Sequence, residues 1–261
     1  MLMRVLVLNI LIFVMACSSS GVKGNGASTK VNVAADKTST PIIEEDLSRA
    51  LSSGQEARVQ KEVSLRLARD PNDIIALNAL AVHMMKTKRL DMAEIILARA
   101  LSASPKNASL LNNLGVLYWL QGKEKEAFSE WQRTLDIDDE HPQATFHIGA
   151  ILLKYGNWKS AVPLLERAYA NLGQPKMVGP HLAEAYRLAK RPENANTIYE
   201  SGGLWEDVSP EAQLNFALLL VTDLKDKTQA LSVLNKIRFS SREPAILKKV
   251  NDYKNRAKAL K

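Results

Sequence analysis

The 261-residue sequence has a single cysteine, so neither an internal disulfide nor a cysteine-built zinc cluster is open to it. Aromatic residues are only 6% of the chain, and the 12 glycines and 10 prolines are fewer than usual. A sandwich or barrel needs many turns and many aromatic strand positions, so the composition argues against either. No Ser/His/Asp spacing, glycine-rich phosphate loop or paired-carboxylate arrangement stands out. The chain therefore reads as a non-enzyme with no cofactor, metal or small-molecule substrate. Long apolar runs are scarce as well, with one from Val5 to Val14 interrupted only by Asn9. What remains is 46% hydrophobic and 24% charged, which suits a packed core and rules out wholesale disorder.

Residues 1–16, MLMRVLVLNILIFVMA, combine an early positive charge at Arg4, that apolar run and a small residue at the end. This three-part layout predicts a secretory signal, since a spanning helix needs ~20 apolar residues. The run Val14-Met15-Ala16-Cys17 resembles the bacterial lipoprotein processing box. That resemblance implies acylation of Cys17, and Ser18 beside it implies passage to the outer membrane with the protein facing the periplasm. Several acyl chains on one residue, each methylene contributing ~0.8 kcal/mol, hold stably where one chain does not. Residues 17–40 follow as a Ser/Gly-rich tether with no helical period and no aromatic residue. As a flexible coil it reaches roughly 25 Å.

A period of 34 residues organises the rest. Windows at 74–107, 108–141, 142–175 and 176–209 align without gaps. Their eighth positions hold Ala81, Gly115, Gly149 and Ala183, and their twentieth Ala93, Ala127, Ala161 and Ala195. Their twenty-seventh hold Ala100, Thr134, Ala168 and Gly202. Large apolar residues recur at the seventh, eleventh and twenty-fourth positions, the last being Leu97, Trp131, Leu165 and Tyr199. Positions 4, 7, 8 and 11 follow one helical face, and positions 20, 24, 27 and 28 follow a second. Small residues at 8, 20 and 27 let two helices approach closely, and Gly122 and Gly156 at position 15 mark the turn between them.

This pattern resembles the tetratricopeptide repeat. The reading is an all-α fold, a right-handed superhelical solenoid of about five to six helical pairs over residues 41–243. Its flanks are degenerate, with Pro41 to Pro71 read as a divergent capping pair. Counting from Ala183 brings Ala230 one residue late, which places a single insertion in the turn from Thr222 to Lys227. Residues 244–261 are read as a basic C-terminal capping helix, the polar end that a solenoid needs for solubility.

The resemblance implies a concave face lined by the first helix of each pair at positions 2, 5, 9 and 12. Among those positions the candidate partner-binding groove is Asn78, Val82, Met85, Asn112, Val116, Trp119, Phe146, Leu153 and Arg187. Asparagine offers a donor and an acceptor to a peptide backbone while apolar neighbours take side chains. The terminal-carboxylate clamp of some repeat chaperone adaptors is absent, because Asn78, Val82, Gln143 and His147 stand where its residues should be.

His147 and His181 share position 6 of adjacent repeats and are read as packing or surface residues rather than ligands. The run Asp138-Asp139-Glu140-His141 is read as a solvated acidic turn. Charge is concentrated at the C-terminus, where Lys236 to Lys261 carry a net charge equal to the whole chain's +7. Lys248, Lys249, Lys254 and Arg256 form this basic cap, which suits anionic lipid headgroups, lipopolysaccharide or an acidic partner; nucleic acid does not suit an exported chain. Overall the sequence reads as an outer-membrane lipoprotein that binds envelope proteins as a scaffold or assembly factor. It resembles the pilotin lipoproteins of type IV pili and the repeat lipoproteins of gliding-motility machines. The alternative is an adaptor or activator for peptidoglycan hydrolases or periplasmic proteases.

Overall fold

The computed structural model describes residues 56–172, 175–201 and 208–260. The leader, Cys17 with its tether, residues 41–55, Gly202 and Lys261 lie outside the described residues. Every described element is helical, and no described helix is long and apolar enough to cross a membrane. The chain divides into two compact units, whose described parts are residues 56–138 and 139–260.

The first unit contains α1 (Glu56–Arg69), α2 (Ile74–Lys86), α3 (Leu90–Ala103), α4 (Ala108–Leu120) and α5 (Glu124–Ile137). The second contains α6 (Pro142–Lys154), α7 (Trp158–Leu172), α8 (Pro175–Leu188) and α9 (Pro192–Glu200). It continues with α10 (Pro210–Leu219), a π-helical stretch at Leu220–Leu224, α11 (Lys227–Ser240) and α12 (Pro244–Lys258). The described helices thus make five pairs, flanked by α1 and α12.

Except at Pro175, which opens its own helix, the residue before a window caps that window's first helix. Asp73 and Asn107 accept the backbone N–H of Ala76 at 2.8 Å and of Leu110 at 3.1 Å. Ser209 does the same for Ala212 at 3.3 Å. His141 departs from the solvated-turn expectation: it is buried, and its Nδ1 accepts the Ala144 N–H at 3.3 Å. Its imidazole replaces the usual oxygen in closing the orphan donors of a helix start.

The first helices α2, α4, α6 and α8 end in the same turn. Lys88, Gly122, Gly156 and Lys190 occupy position 15, all with φ between 59° and 78°. Around Gly122, its N–H bonds to Trp119 O and the Lys123 N–H to Tyr118 O, a pairing repeated at the other three sites. This is the glycine-favouring left-handed C-terminal motif, with lysine tolerated twice.

Packing follows the predicted small and large positions. Ala81, Ala93, Ala127, Ala161, Ala195, Ala100, Thr134 and Ala168 are fully buried, as are Leu97, Trp131 and Leu165. Gly115 makes room for the indole of Trp131, and Gly149 for Leu165. The extra residue near the end is present but placed differently. It widens the end of α10 into the π-helical stretch at Leu220–Leu224, within which the Thr222 hydroxyl donates to Leu218 O. The left-handed residue then comes one position late, at Lys225. A helix can absorb one residue this way without a looped insertion.

Candidate partner-binding surface on the first helices

Within the first unit, α2 and α4 are joined by a row of amides. Asn113 Nδ2 donates to Asn78 Oδ1 at 2.7 Å, and Asn112 Nδ2 donates to Asn113 Oδ1 at 3.3 Å. Asn78 is half-buried, whereas Asn112 and Asn113 are buried. Asn112 Oδ1 has no hydrogen-bond partner, so the row ends on an unused acceptor. Its main-chain oxygen is taken, accepting Trp131 Nε1 at 3.1 Å. Half-buried Trp119 stands two turns along the same face of α4 from Asn112, its ring centroid 6.3 Å from that of Trp131.

Within the second unit, Phe146 on α6 meets His181 on α8 edge-on at 5.1 Å and His147 at 5.5 Å. His181 Nδ1 lies 3.1 Å from Met177 O. Burial, with the charges of His141 and His181, holds His147 down at about 3, so it stays neutral at ordinary pH. Burial lowers His181 too, opposed by its bond to the Met177 carbonyl. Among the described residues no group of three or more His, Cys, Asp or Glu side chains is placed to hold a metal ion.

Six of the nine expected groove residues are buried: Val82, Met85, Asn112, Val116, Phe146 and Leu153. An open apolar face at these six positions is therefore not what the structure presents. Their side chains are taken up in packing, as the Phe146–His181 contact illustrates. Arg187 is half-buried and also engaged, giving two 2.8 Å hydrogen bonds to Glu184 with Asp223 4.0 Å away. The Glu184 hydrogen bonds raise its pKa against the opposing effect of burial. Of the nine, Asn78 and Trp119 are the other half-buried residues.

The basic cap is on the surface. Lys248 and Arg256 are exposed, and Lys249 and Lys254 are half-buried. Arg256 bonds Asp252 at 3.0 Å and lies over the Tyr253 ring. Two neighbours of these residues were not anticipated from the sequence: Asn113 and Asp223. Asn113 could have been found beside Asn112, because two adjacent polar residues interrupt an otherwise apolar helix. Glu184, at position 9 of the same window, is the i,i+3 partner of Arg187. Asp223 has no such local signal.

No family model matches the chain. A 70-residue stretch is 34% identical to a probable biofilm formation methyltransferase, WspC, of Pseudomonas putida. That match covers 27% of this chain and only 16% of that protein. Among solved structures, the chain is similar to PilF of Pseudomonas aeruginosa at 20% identity, with a TM-score of 0.67, over 80% of this chain and 95% of that one. PilW, a widely conserved type IV pilus biogenesis factor, is 18% identical over 80% of this chain and 97% of its own, with a TM-score of 0.62. YrrB, a tetratricopeptide-repeat protein with an unusual peptide-binding site, gives 0.50 at 18% identity over 73% and 97% of the two chains. The fold is that of tetratricopeptide-repeat proteins, and it resembles that of the type IV pilus factors.

Proposed function

We propose that the chain is a non-catalytic protein-binding scaffold of the bacterial envelope, held to the outer membrane by lipid on Cys17 and serving assembly of a pilus-type machine. The observation that carries the binding reading is that Asn78 on α2 and Trp119 on α4 stay half-buried on first helices of adjacent pairs, with Asn78 held by the buried amides of Asn113 and Asn112. An extended peptide offers main-chain donors and acceptors along its whole length, and the half-buried amide of Asn78 can answer them. The half-buried indole of Trp119 supplies an aromatic anchor on α4. The pilus assignment draws on the likeness to PilF and PilW, which span nearly their whole lengths in the comparison. Short repeats of this kind host many functions on one fold, so the surface rather than the fold must be tested.

A photo-crosslinking residue at position 119, introduced in cells, should capture an envelope protein. Trp119→Ala and Asn78→Leu should each abolish that partner's binding with helical content unchanged. Truncating a buried aromatic anchor commonly removes more than about 2 kcal/mol, a loss of more than ~30-fold in affinity. Full binding by both variants would sink the surface assignment. Cys17→Ser should release the protein from the outer-membrane fraction or leave it unprocessed; wild-type fractionation would rule out lipid as the anchor. Loss of pilus assembly on deletion is the expected phenotype, and intact pili would remove that machine from consideration.

A further inference from the structure

The last helix carries a second surface that the scaffold reading does not use. Residues Ile246, Val250, Tyr253 and Ala257 of α12 are buried. The helix packs on α10 and α11. At 100° per residue the opposite face centres on Lys248, Asn251, Asp252 and Asn255. The acidic member of that face, Asp252, lies to one side and is bonded to Arg256. The other side, from Lys248 through Asn255 and Asn251 to Lys258 and the flanking Lys254, holds no acidic residue. Lys248 and Lys258 are exposed, and ten residues of helix separate them by ~15 Å.

We infer that this strip of α12 docks on the surface of an anionic phospholipid bilayer. Its cations are lysines, flexible point charges rather than planar forks, and Arg256 already has its carboxylate. Such a strip has no register to match to a folded acidic protein, but it fits a fluid layer of anionic headgroups that rearranges around it. The charge is also one-sided. Lys236 to Lys261 carry nine cations against Glu243 and Asp252, and this balance equals the whole chain's +7. The remaining residues sum to zero, so the long-range attraction orients this end of the chain toward a negative surface. The inference does not depend on acylation of Cys17 or on the Trp119 surface.

The full chain carrying Cys17→Ser removes the lipid from the comparison. It should co-sediment with vesicles of phosphatidylglycerol mixed into phosphatidylcholine more than with phosphatidylcholine alone, the latter measuring any contribution of the leader. The excess should vanish in high salt, where the Debye length shrinks to about 3 Å at 1 M. Each surface lysine contributes about fivefold to such partitioning, so Lys248→Gln with Lys258→Gln should lower the excess by roughly 25-fold. Lys248→Arg with Lys258→Arg should retain it. Equal binding by the Gln and parent chains, or an excess indifferent to salt, overturns the inference. Binding to soluble polyglutamate without binding to anionic vesicles overturns it too, and would assign the strip to an acidic protein.

Discussion

Gly115→Ala would set a methyl carbon 2.5 Å from Trp131 Nε1 and 2.7 Å from its Cδ1. Ordinary contact begins near 3.4 Å, so either the indole or the α4 backbone must move by close to 1 Å. The indole has no free space, being fully buried, and its Nε1 donates to Asn112 O. Overpacking costs about 1–3 kcal/mol, and losing a buried hydrogen bond a further 1–3 kcal/mol. Alanine's better helix propensity returns about 1 kcal/mol. The net expectation is a destabilisation of about 3 kcal/mol. Trp131→Leu alone should cost a similar ~3 kcal/mol through its cavity. The double variant, however, recreates the pair that the first repeat already has, Ala81 with Leu97, both fully buried. It should therefore be at least 2 kcal/mol more stable than additivity allows. Urea unfolding of the four chains, followed by circular dichroism, measures the cycle. A coupling energy within 0.5 kcal/mol of zero would refute the claim that positions 8 and 24 share one volume.

Lys88→Gly should stabilise the chain by up to about 1 kcal/mol, because Lys88 is held at φ 60° where a side chain is strained; an unchanged or lowered urea midpoint would contradict it. Because burial depresses the folded pKa of His147 to about 3, the unfolded chain binds the extra proton first as pH falls below about 6.5. Stability should be flat above that pH and fall between 6.5 and 3, with about 2 kcal/mol lost at pH 5, and His147→Gln should flatten the profile. Tyr199→Phe should be neutral or stabilising by up to about 1 kcal/mol, since the buried Tyr199 hydroxyl has no hydrogen-bond partner. A loss of more than 1 kcal/mol in thermal or urea unfolding would mean the hydroxyl is bonded in solution.

The repeat was legible because packing between paired helices constrains residue size. Ala93, Ala127, Ala161 and Ala195 recur for one steric reason, and all are fully buried. Turn geometry was half legible. Gly122 and Gly156 point to a left-handed residue, but Lys88 and Lys190 hold the same conformation with no compositional sign of it. The recognition surface was the least readable part. Position within a helix says which way Val82, Val116 and Phe146 face, but not that they are already covered, which depends on neighbours distant in sequence. Arg187 looked available for the same reason, until Asp223 from the following repeat came beside it.

The widened turn at Leu220–Leu224 has a consequence for how repeat arrays drift. An added residue inside an α-helix swings every later side chain by about 100°, exchanging core for solvent from there on. Here the surplus behaves like a dislocation confined to a single turn. Ala217 before it and Ala230, Val233 and Leu234 after it are all buried on their proper faces. Asp226 N–H reaches back to Leu220 O, one residue farther than the matching bond in the earlier turns. A slip in copying length is thereby quarantined where it occurred, and the chain beyond it keeps phase with itself. Deleting Thr222 should convert the defect back to the ordinary 34-residue spacing, with Lys225 then taking the turn position that Lys190 holds one repeat earlier.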